Sequence, residues 1–199
     1  MKIIILGGFL GSGKTSVLLQ LAHSIVNSSE RIKETTVAII ENEIGQVGID
    51  DKVLRRNGYE VRDIFSGCIC CSLNNDLITG IQDIARKNDP EWLIIEATGV
   101  AYPSSISDSI YNNLRMTARI VTIVDASRWQ RIRIPLERLI EGQLSNAQII
   151  LINKTDLVDE ETLNKIENDV RNLNDKAALY RISGMSEIDE TILQVIRSG

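Results

Sequence analysis

The chain has 199 residues, and its 22 lysine and arginine residues against 27 aspartate and glutamate residues give a net charge of −5. A hydrophobic fraction of 43% and a charged fraction of 25% are typical of globular proteins and exclude a disordered chain. The acidity argues against nucleic acid or an anionic membrane as partner, and no apolar run reaches the ~20 residues of a membrane span. Because an apolar segment at residues 2–6 leads directly into two glycines, there is no room for a cleaved signal peptide, and we expect a cytoplasmic protein.

The first predicted strand, residues 3–6 (IIIL), leads into GFLGSGKT at residues 8–15, which matches G-x-x-x-x-G-K-[ST] at every fixed position. The inner glycines allow backbone N–H groups to point at phosphate oxygens, and the following helix adds the positive end of its dipole. Lys14 supplies a cation for the β- and γ-phosphates, and the Thr15 hydroxyl can bind Mg²⁺. We therefore assign the following residues to a nucleotide-phosphate site: Gly11, Ser12, Gly13, Lys14, Thr15 and Ser16.

An acidic loop, ENEIGQVGIDD at residues 41–51, follows the second predicted strand, TVAII at residues 36–40. The carboxyl ends of parallel strands share one edge of a sheet, so Glu41 and Glu43 are expected near the phosphate site, where a nucleotide-sensing switch loop would lie. Either carboxylate can reach a metal, the shell of the magnesium ion or an attacking water. A solvated acidic loop is the alternative interpretation.

All three cysteines of the chain, Cys68, Cys70 and Cys71, fall within four positions. A disulfide framework spreads cysteines to join distant segments, and this grouping does not. Three clustered thiols in a reducing compartment favour a soft-metal site, with Zn²⁺ first and Co²⁺ or Ni²⁺ as alternatives. Three thiolates leave one tetrahedral position open, which suits a metal that is handed on. A redox pair of Cys68 with Cys71, or inert buried thiols, remain alternatives.

A helix is predicted at Leu73–Lys87, and the strand WLII at residues 92–95 then leads into EATG at 96–99. A nucleotide site of this kind needs an acidic residue at the end of a neighbouring strand to hold magnesium, and Glu96 fits that role. The N–H of Gly99 can report whether the γ-phosphate is present. No glutamine follows this motif to orient water. The candidate catalytic residues are Lys14, Glu96 and, as a water-orienting group, Glu43, unless a partner supplies that group.

The second half of the chain alternates predicted helices with uninterrupted apolar runs. Ile- and Val-rich runs without polar alternation are typical of strands buried on both faces, and the alternation predicts right-handed crossovers. The expected fold is α/β, with a doubly wound, mainly parallel sheet in a single domain. The predicted helices are Pro103–Leu114, 127–142, 160–173 and 187–196, and the strands are 119–125, 147–153 and 178–182. Four arginines around Trp129 are interpreted as a solvated helix face or a docking surface for an acidic partner.

The sequence NKTD at residues 153–156 follows a buried strand and predicts the base. The Asp156 carboxylate can accept hydrogen bonds from N1–H and the 2-amino group of guanine, and adenine offers neither. A site that leaves a buried polar group unpaired rejects the wrong ligand by roughly 10⁴-fold or more. The Lys154 stem can lie over the purine, and Asn153 can brace the loop. The sequence therefore predicts GTP rather than ATP.

Five motifs, in their order and spacing, resemble those of the CobW-like family of metallochaperone P-loop GTPases. They are GGFLGSGKT, ENEIGQVGIDD, GCICC, EATG and NKTDL. That family is similar in fold to the urease and hydrogenase nickel-delivery GTPases. The resemblance covers nearly the whole chain, and GCICC is its most specific part. It implies a SIMIBI-like P-loop fold and a slow GTPase that binds Zn²⁺ or Co²⁺ and transfers it to a client metalloprotein. It also implies a nucleotide-dependent homodimer, with Cys70 and Glu41 contributing to the metal site.

The sequence departs from the family pattern in two ways. The family usually has a glutamate at the position of Gln46. Its members commonly carry a second, C-terminal domain and often a histidine-rich tract, whereas the only histidine here is His23. We therefore expect residues 1–199 to form one GTPase domain without the usual C-terminal domain, as a naturally short protein or a fragment.

Three functions are compatible with these motifs. The first is a carrier in which GTP and a thiol-bound metal are coupled through the switch loop. The second is a GTP-dependent regulator of a partner metalloenzyme, with a structural thiol cluster. The third, a small-molecule phosphotransferase, is disfavoured because no arginine-rich lid is evident.

Overall fold

Seven parallel strands form one sheet in the computed structural model, which describes residues 1–28, 36–41, 60–63 and 73–198, with the backbone alone at 60–63 and 73–75. The sheet order is β3-β2-β4-β1-β5-β6-β7. Inner strands such as β1 and β6 are buried on both faces because their runs of isoleucine meet helices on either side. The strands are β1 (Lys2–Gly7), β2 (Val37–Glu41), β3 (Glu60–Asp63), β4 (Trp92–Glu96), β5 (Ala118–Asp125), β6 (Ile149–Asn153) and β7 (Ala178–Arg181).

Helices cover both faces of this sheet, which confirms the predicted α/β doubly wound class. One core layer contains side chains of α1 and α7, and the other contains those of α2, α3, α5 and α6. The helices are α1 (Lys14–Ser28), α2 (Leu73–Lys87), α3 (Pro103–Leu114), α4 (Trp129–Ile132), α5 (Glu137–Leu144), α6 (Glu160–Leu173) and α7 (Glu190–Arg197). No helix in the described part of the chain is long and apolar enough to cross a membrane.

Two predicted helices need correction, and one strand was not predicted. The helix predicted at 127–142 is interrupted between α4 and α5, because Pro135 lacks an N–H and disfavours a helical conformation at the residue before it. Helix α7 begins three residues later than predicted, after Asp189, whose carboxylate accepts a hydrogen bond from the Thr191 N–H. Strand β3 was not predicted, since three of its four residues are charged and it lies at the sheet edge.

The carboxyl ends of the central strands carry the polar residues that form the site. Glu96, at the end of β4, is in register with Glu41 at the end of β2 and with Leu6 of β1. On the other side of β1, Asp125 of β5 is in register with Asn153 of β6. Ligands of open parallel sheets bind at this edge, where crossovers leave in opposite directions.

Candidate functional site

The loop between β1 and α1 has the backbone conformation that its glycines predict. Gly11 and Gly13 have φ angles of +73° and +99°, a region that other residues rarely adopt. A Cβ atom at Gly13 would lie 2.2 Å from Nδ2 of Asn153, so the close approach of the NKTD motif also requires glycine there. The loop is therefore shaped by glycine both in its own backbone and in its packing.

Lys14 and Ser12 are buried within this loop. Lys14 is the first residue of α1, and its Nζ donates a hydrogen bond to the carbonyl oxygen of Phe9 at 3.3 Å. The Ser12 hydroxyl has no hydrogen-bond partner among the residues that the structure describes, although it is fully buried. A buried hydroxyl inside a glycine-rich loop is a polar group to which a ligand can bond. Ser16, two residues after Lys14 in α1, is half-buried.

Thr15 and Glu96 meet as the sequence predicts. The Thr15 hydroxyl donates to the Glu96 carboxylate, with Oγ1 lying 3.1 Å from Oε1 and 3.3 Å from Oε2. Glu96 is buried, and Glu41 is half-buried on the adjacent strand in register with it. Hydroxyl and carboxylate oxygens are the ligands that Mg²⁺ prefers. These residues fit a magnesium ion beside the loop.

Gly99 lies against the glycine-rich loop. A Cβ atom at Gly99 would be 2.5 Å from the backbone nitrogen of Leu10, so the two backbones are in direct contact. The segment after β4 therefore approaches the loop closely enough for the two to share a ligand, as its assignment to the γ-phosphate requires.

The NKTD motif is tied to the same loop by side-chain hydrogen bonds. Asn153 donates from Nδ2 to the carbonyl oxygen of Ser12 at 2.8 Å. Its Oδ1 accepts from the N–H of Lys154 at 2.8 Å and of Gly184 at 2.6 Å. Lys154 adopts a left-handed conformation, with φ at 62°, and its Nζ donates to the carbonyl oxygen of Gly11 at 2.7 Å. Asp156 is exposed in the short turn that follows β6, accessible to a ligand.

Asp125 was not predicted as a site residue. Its side chain is fully buried, and its Oδ2 accepts from Lys154 Nζ at 2.8 Å and Arg128 Nε at 2.7 Å. Burial acts to raise the pKa of Asp125, but the hydrogen bonds from Lys154, Ser127 and Arg128 outweigh it and hold the pKa below its ordinary value. An acidic residue directly after an apolar strand, as at Glu96, was the available signal.

Arg128 also belongs to this network rather than to a solvated face. Besides its ion pair with Asp125, it donates to the carbonyl oxygen of Leu10, and its guanidinium lies beside Gly11. Trp129 is buried, with Nε1 donating to Asp169. Of the predicted arginine surface, Arg128 therefore contacts the glycine-rich loop, and Trp129 packs in the core.

The metal-site prediction lies outside the described residues, except for Glu41. Cys68, Cys70, Cys71 and the water-orienting candidate Glu43 are not among the described residues. Among the residues that are, no three His, Cys, Asp or Glu side chains form a group that could hold a metal ion.

The assembled residues can bind a nucleoside triphosphate with a divalent cation. The loop N–H groups and Lys14 provide positive charge for phosphates, and Thr15 with Glu96 provides oxygen ligands for Mg²⁺. Asp156 lies two residues from Lys154, which is itself bonded to the loop, so a purine recognised by Asp156 would extend from the same phosphate site.

Known proteins resemble the chain in sequence and in fold. The zinc-regulated GTPase metalloprotein activator 1 of Dictyostelium discoideum is 29% identical over 91% of this chain and 45% of its own length. The zinc chaperone YeiR of Escherichia coli is 34% identical over 75% of this chain and 45% of its own. The hydrogenase maturation factor HypB of Archaeoglobus fulgidus has the same fold, with a TM-score of 0.72 at 18% identity over 100% of this chain and 89% of that one.

The chain spans about half the length of the curated relatives that it matches. The model of the CobW/HypB/UreG nucleotide-binding domain matches residues 2–181, which is most of the chain. The chain therefore belongs to the CobW/HypB/UreG family of nucleotide-binding domains.

Proposed function

We propose that the chain binds and slowly hydrolyses GTP, and that it carries Zn²⁺ or a similar transition metal to a client metalloprotein. The observation that carries the nucleotide part is the attachment of the NKTD motif to the glycine-rich loop, through Asn153 to Ser12 and Lys154 to Gly11. Because the base motif and the phosphate loop are bonded together, one guanine nucleotide can span both. Relatives named as zinc chaperones support the metal part.

The roles of the nucleotide-site residues follow from their chemistry. Lys14 neutralises charge on the β- and γ-phosphates, and Thr15 with Glu96 would hold a magnesium ion, which when bound supplies further positive charge for the phosphates. Asp156 pairs with the guanine edge. Glu43, two positions after Glu41 in the chain, orients the attacking water. Glu96 thus contributes to catalysis through the ion, and Lys14 directly through charge.

The transported metal is assigned to Cys68, Cys70 and Cys71, with Glu41 as an oxygen ligand. Thiolates select Zn²⁺ and related soft ions, and clustered free thiols need the reducing conditions of the cytoplasm. The register between Glu41 and Glu96 supports coupling, since the metal ligand and the magnesium ligand end neighbouring strands. Hydrolysis then changes metal affinity through the segment that starts at Glu41.

A nucleotide-dependent homodimer is supported by exposed apolar side chains at the nucleotide edge. Leu10 of the glycine-rich loop and Val100 of the segment after β4 are 68% and 69% exposed, and Tyr102 is 43% exposed. Grouped apolar exposure of this kind marks interaction surfaces. The two segments meet where Gly99 contacts Leu10, so a γ-phosphate bound by Gly99 would control this surface.

A zinc titration with GTP hydrolysis measured in parallel tests the proposal. The wild-type chain is expected to hydrolyse GTP and to bind Zn²⁺ with affinities that differ by about 5–150-fold between a non-hydrolysable GTP analogue and GDP. The Cys70→Ser variant loses tight Zn²⁺ binding because a thiolate ligand is removed. The His23→Ala variant is the matched control: it removes the only imidazole and leaves the affinity unchanged.

Each failure has a separate meaning. Equal zinc affinity in both nucleotide states would contradict the coupled carrier and favour the alternative function, a GTP-dependent regulator with a structural thiol cluster. Tight zinc binding that survives Cys70→Ser would contradict the ligand assignment. Absence of GTP hydrolysis would contradict the proposed GTPase activity.

A further inference from the structure

The side chain of Gln143, on α5, is bonded to the segment that follows β4. Gln143 is 2% exposed, and its Nε2 donates to the carbonyl oxygen of Gly99 at 3.0 Å and of Ala101 at 3.2 Å. One buried amide therefore spans three consecutive residues of this segment. Within the described part of the chain, its Oε1 is buried and has no hydrogen-bond partner, so its side-chain hydrogen bonds there all go to this segment.

Gln143 is itself anchored to the centre of the sheet. Its main-chain carbonyl oxygen accepts a hydrogen bond from the Thr122 hydroxyl at 2.9 Å, and both residues are buried. Thr122 lies on β5 in register with Gly7, the last residue before the glycine-rich loop. The main chain of Gln143 is thus fixed relative to that loop, and its side-chain amide with it.

The segment is enclosed from two sides. Gly99 contacts the backbone of Leu10 on the glycine-rich loop, as described above, and Tyr102 packs where a Cβ at Gly142 would lie 2.2 Å from its ring. A shift of Gly99 away from the loop therefore breaks the Gln143 hydrogen bonds, and a shift of α5 moves Gly99. The position of Gly99 depends on Gln143 through direct contacts.

We propose that Gln143 is a positioning residue that sets discrimination between GTP and GDP, because it holds Gly99 against the glycine-rich loop where its N–H can meet the γ-phosphate. The inference rests on the proposed function, since it assumes that Gly99 reads this phosphate. GDP does not reach Gly99, so its affinity does not depend on Gln143. The residue acts through Gly99 and has no contact with the reacting atoms.

The test compares two substitutions that exchange a buried amide for a carboxylate. Gln143→Glu keeps the side-chain shape, but its carboxyl, protonated by burial, can donate only one of the two hydrogen bonds, and Gln143→Met can donate neither. Asn174→Asp is the matched control: Asn174 is 8% exposed, and its Nδ2 donates to the carbonyl of Leu144 at 2.7 Å, the residue next to Gln143, and to that of Ala147 at 2.9 Å, but it has no hydrogen bond to Gly99 or Ala101. The measurement is the ratio of GDP to GTPγS dissociation constants, by displacement of a fluorescent guanine nucleotide, beside kcat and KM for GTP.

We expect Gln143→Glu to reduce the preference for GTPγS by about tenfold, within the usual range for coupled sites, and to leave GDP affinity within about twofold of wild type. kcat falls with it, since the segment that contacts the γ-phosphate is displaced. Asn174→Asp lowers thermal stability but keeps the wild-type ratio. Gln143→Met, which carries no charge, gives at least as large a reduction as Gln143→Glu and guards against a folding failure of the latter.

An unchanged ratio in folded Gln143→Met, which has no donor, would overturn the inference and leave the proposed function intact. An equal loss in Asn174→Asp would also overturn it, because any disturbance of α5 would then suffice. Failure of the wild-type chain to bind either guanine nucleotide would overturn the proposed function, and the inference with it.

Discussion

At the scale of single residues, the site depends on one buried carboxylate, Asp125, that is paired with two partly exposed cations. Asp125 accepts hydrogen bonds from Lys154 and Arg128, and both cations also donate to carbonyl oxygens of the glycine-rich loop. A buried carboxylate with charged donors is stabilised only while it stays ionised. Asp125 therefore links the base motif to the phosphate loop and makes their arrangement sensitive to acid.

Asp125→Asn is expected to destabilise the fold at neutral pH by about 1.5–3 kcal/mol, since hydrogen bonds to a charged group are lost. The pKa of Asp125 is lower in the folded state, so its contribution to the free energy of unfolding is present above about pH 4 and is lost as the pH falls through the folded-state pKa. The wild-type advantage over Asp125→Asn should therefore shrink below about pH 4 in urea unfolding at a series of pH values.

Asp159→Asn provides the control for this acid effect. Asp159 is an exposed helix cap whose pKa is lowered by hydrogen bonds from Thr162, and asparagine preserves the cap. Because the Asp159 carboxylate is exposed and screened by solvent, the same acid dependence should be much smaller for Asp159→Asn than for Asp125→Asn. A difference between wild type and Asp125→Asn that is constant from pH 2 to 7 would contradict the role of the ionised carboxylate.

At the scale of elements, α6 shows how a local pattern becomes a buried face. Leu163, Ile166 and Val170 follow the spacing of a helical stripe, and all three are buried in the larger core layer. Asp159 begins the helix by accepting the Thr162 N–H at 2.7 Å. The bounds Glu160–Leu173 agree with the sequence prediction because cap and stripe lie within one continuous segment.

Ile166→Ala is expected to lower the free energy of unfolding by about 2–5 kcal/mol, because it removes buried methylene groups and leaves a cavity. Lys165→Ala, one residue away, changes it far less, since its ion pair with Glu161 is exposed. Chemical denaturation of both variants checks the pair. Similar losses in the two would contradict the orientation of the helix.

At the scale of the whole molecule, the order of the strands gathers distant motifs at one edge of the sheet. Strand β1 is flanked by β4 and β5, so the loop that follows it lies between Glu96 and Asp125. Strand β6 comes next and brings NKTD to the same place. A ligand bound there contacts segments from both halves of the chain and should stabilise the fold as a unit.

GTP with Mg²⁺ is expected to add about 2.7 kcal/mol to the free energy of unfolding at a hundredfold excess over its Kd, and ATP much less at the same concentration. Asp156→Asn should lose the GTP effect, because the amide cannot accept both guanine hydrogen bonds, and should gain an effect of xanthosine triphosphate, whose 2-oxygen accepts from the amide. Thermal unfolding measures each nucleotide. Equal stabilisation by ATP and GTP would contradict the guanine assignment.

Features that depend on short stretches of sequence were predictable. The glycine-rich loop, α1, α2, α3 and α6 agree with their predictions, because strand runs, helical stripes and caps depend on neighbours within a few turns. The meeting of Thr15 with Glu96 was also predictable, since parallel strands share their carboxyl edge. The break at Pro135 was missed because the stripe around it continues the helical spacing.

By itself, then, the sequence determined the fold class and the glycine conformations of the phosphate loop, and it predicts guanine recognition by Asp156. Only the tertiary structure decided that Asp125 and Arg128 belong to the site, and that Gln143 holds Gly99 from 44 residues away. A buried amide or carboxylate has no periodic signature, and its meaning depends on which carbonyl or cation the fold places beside it. The physical reason is that desolvation makes such groups require partners, and chain topology alone selects them.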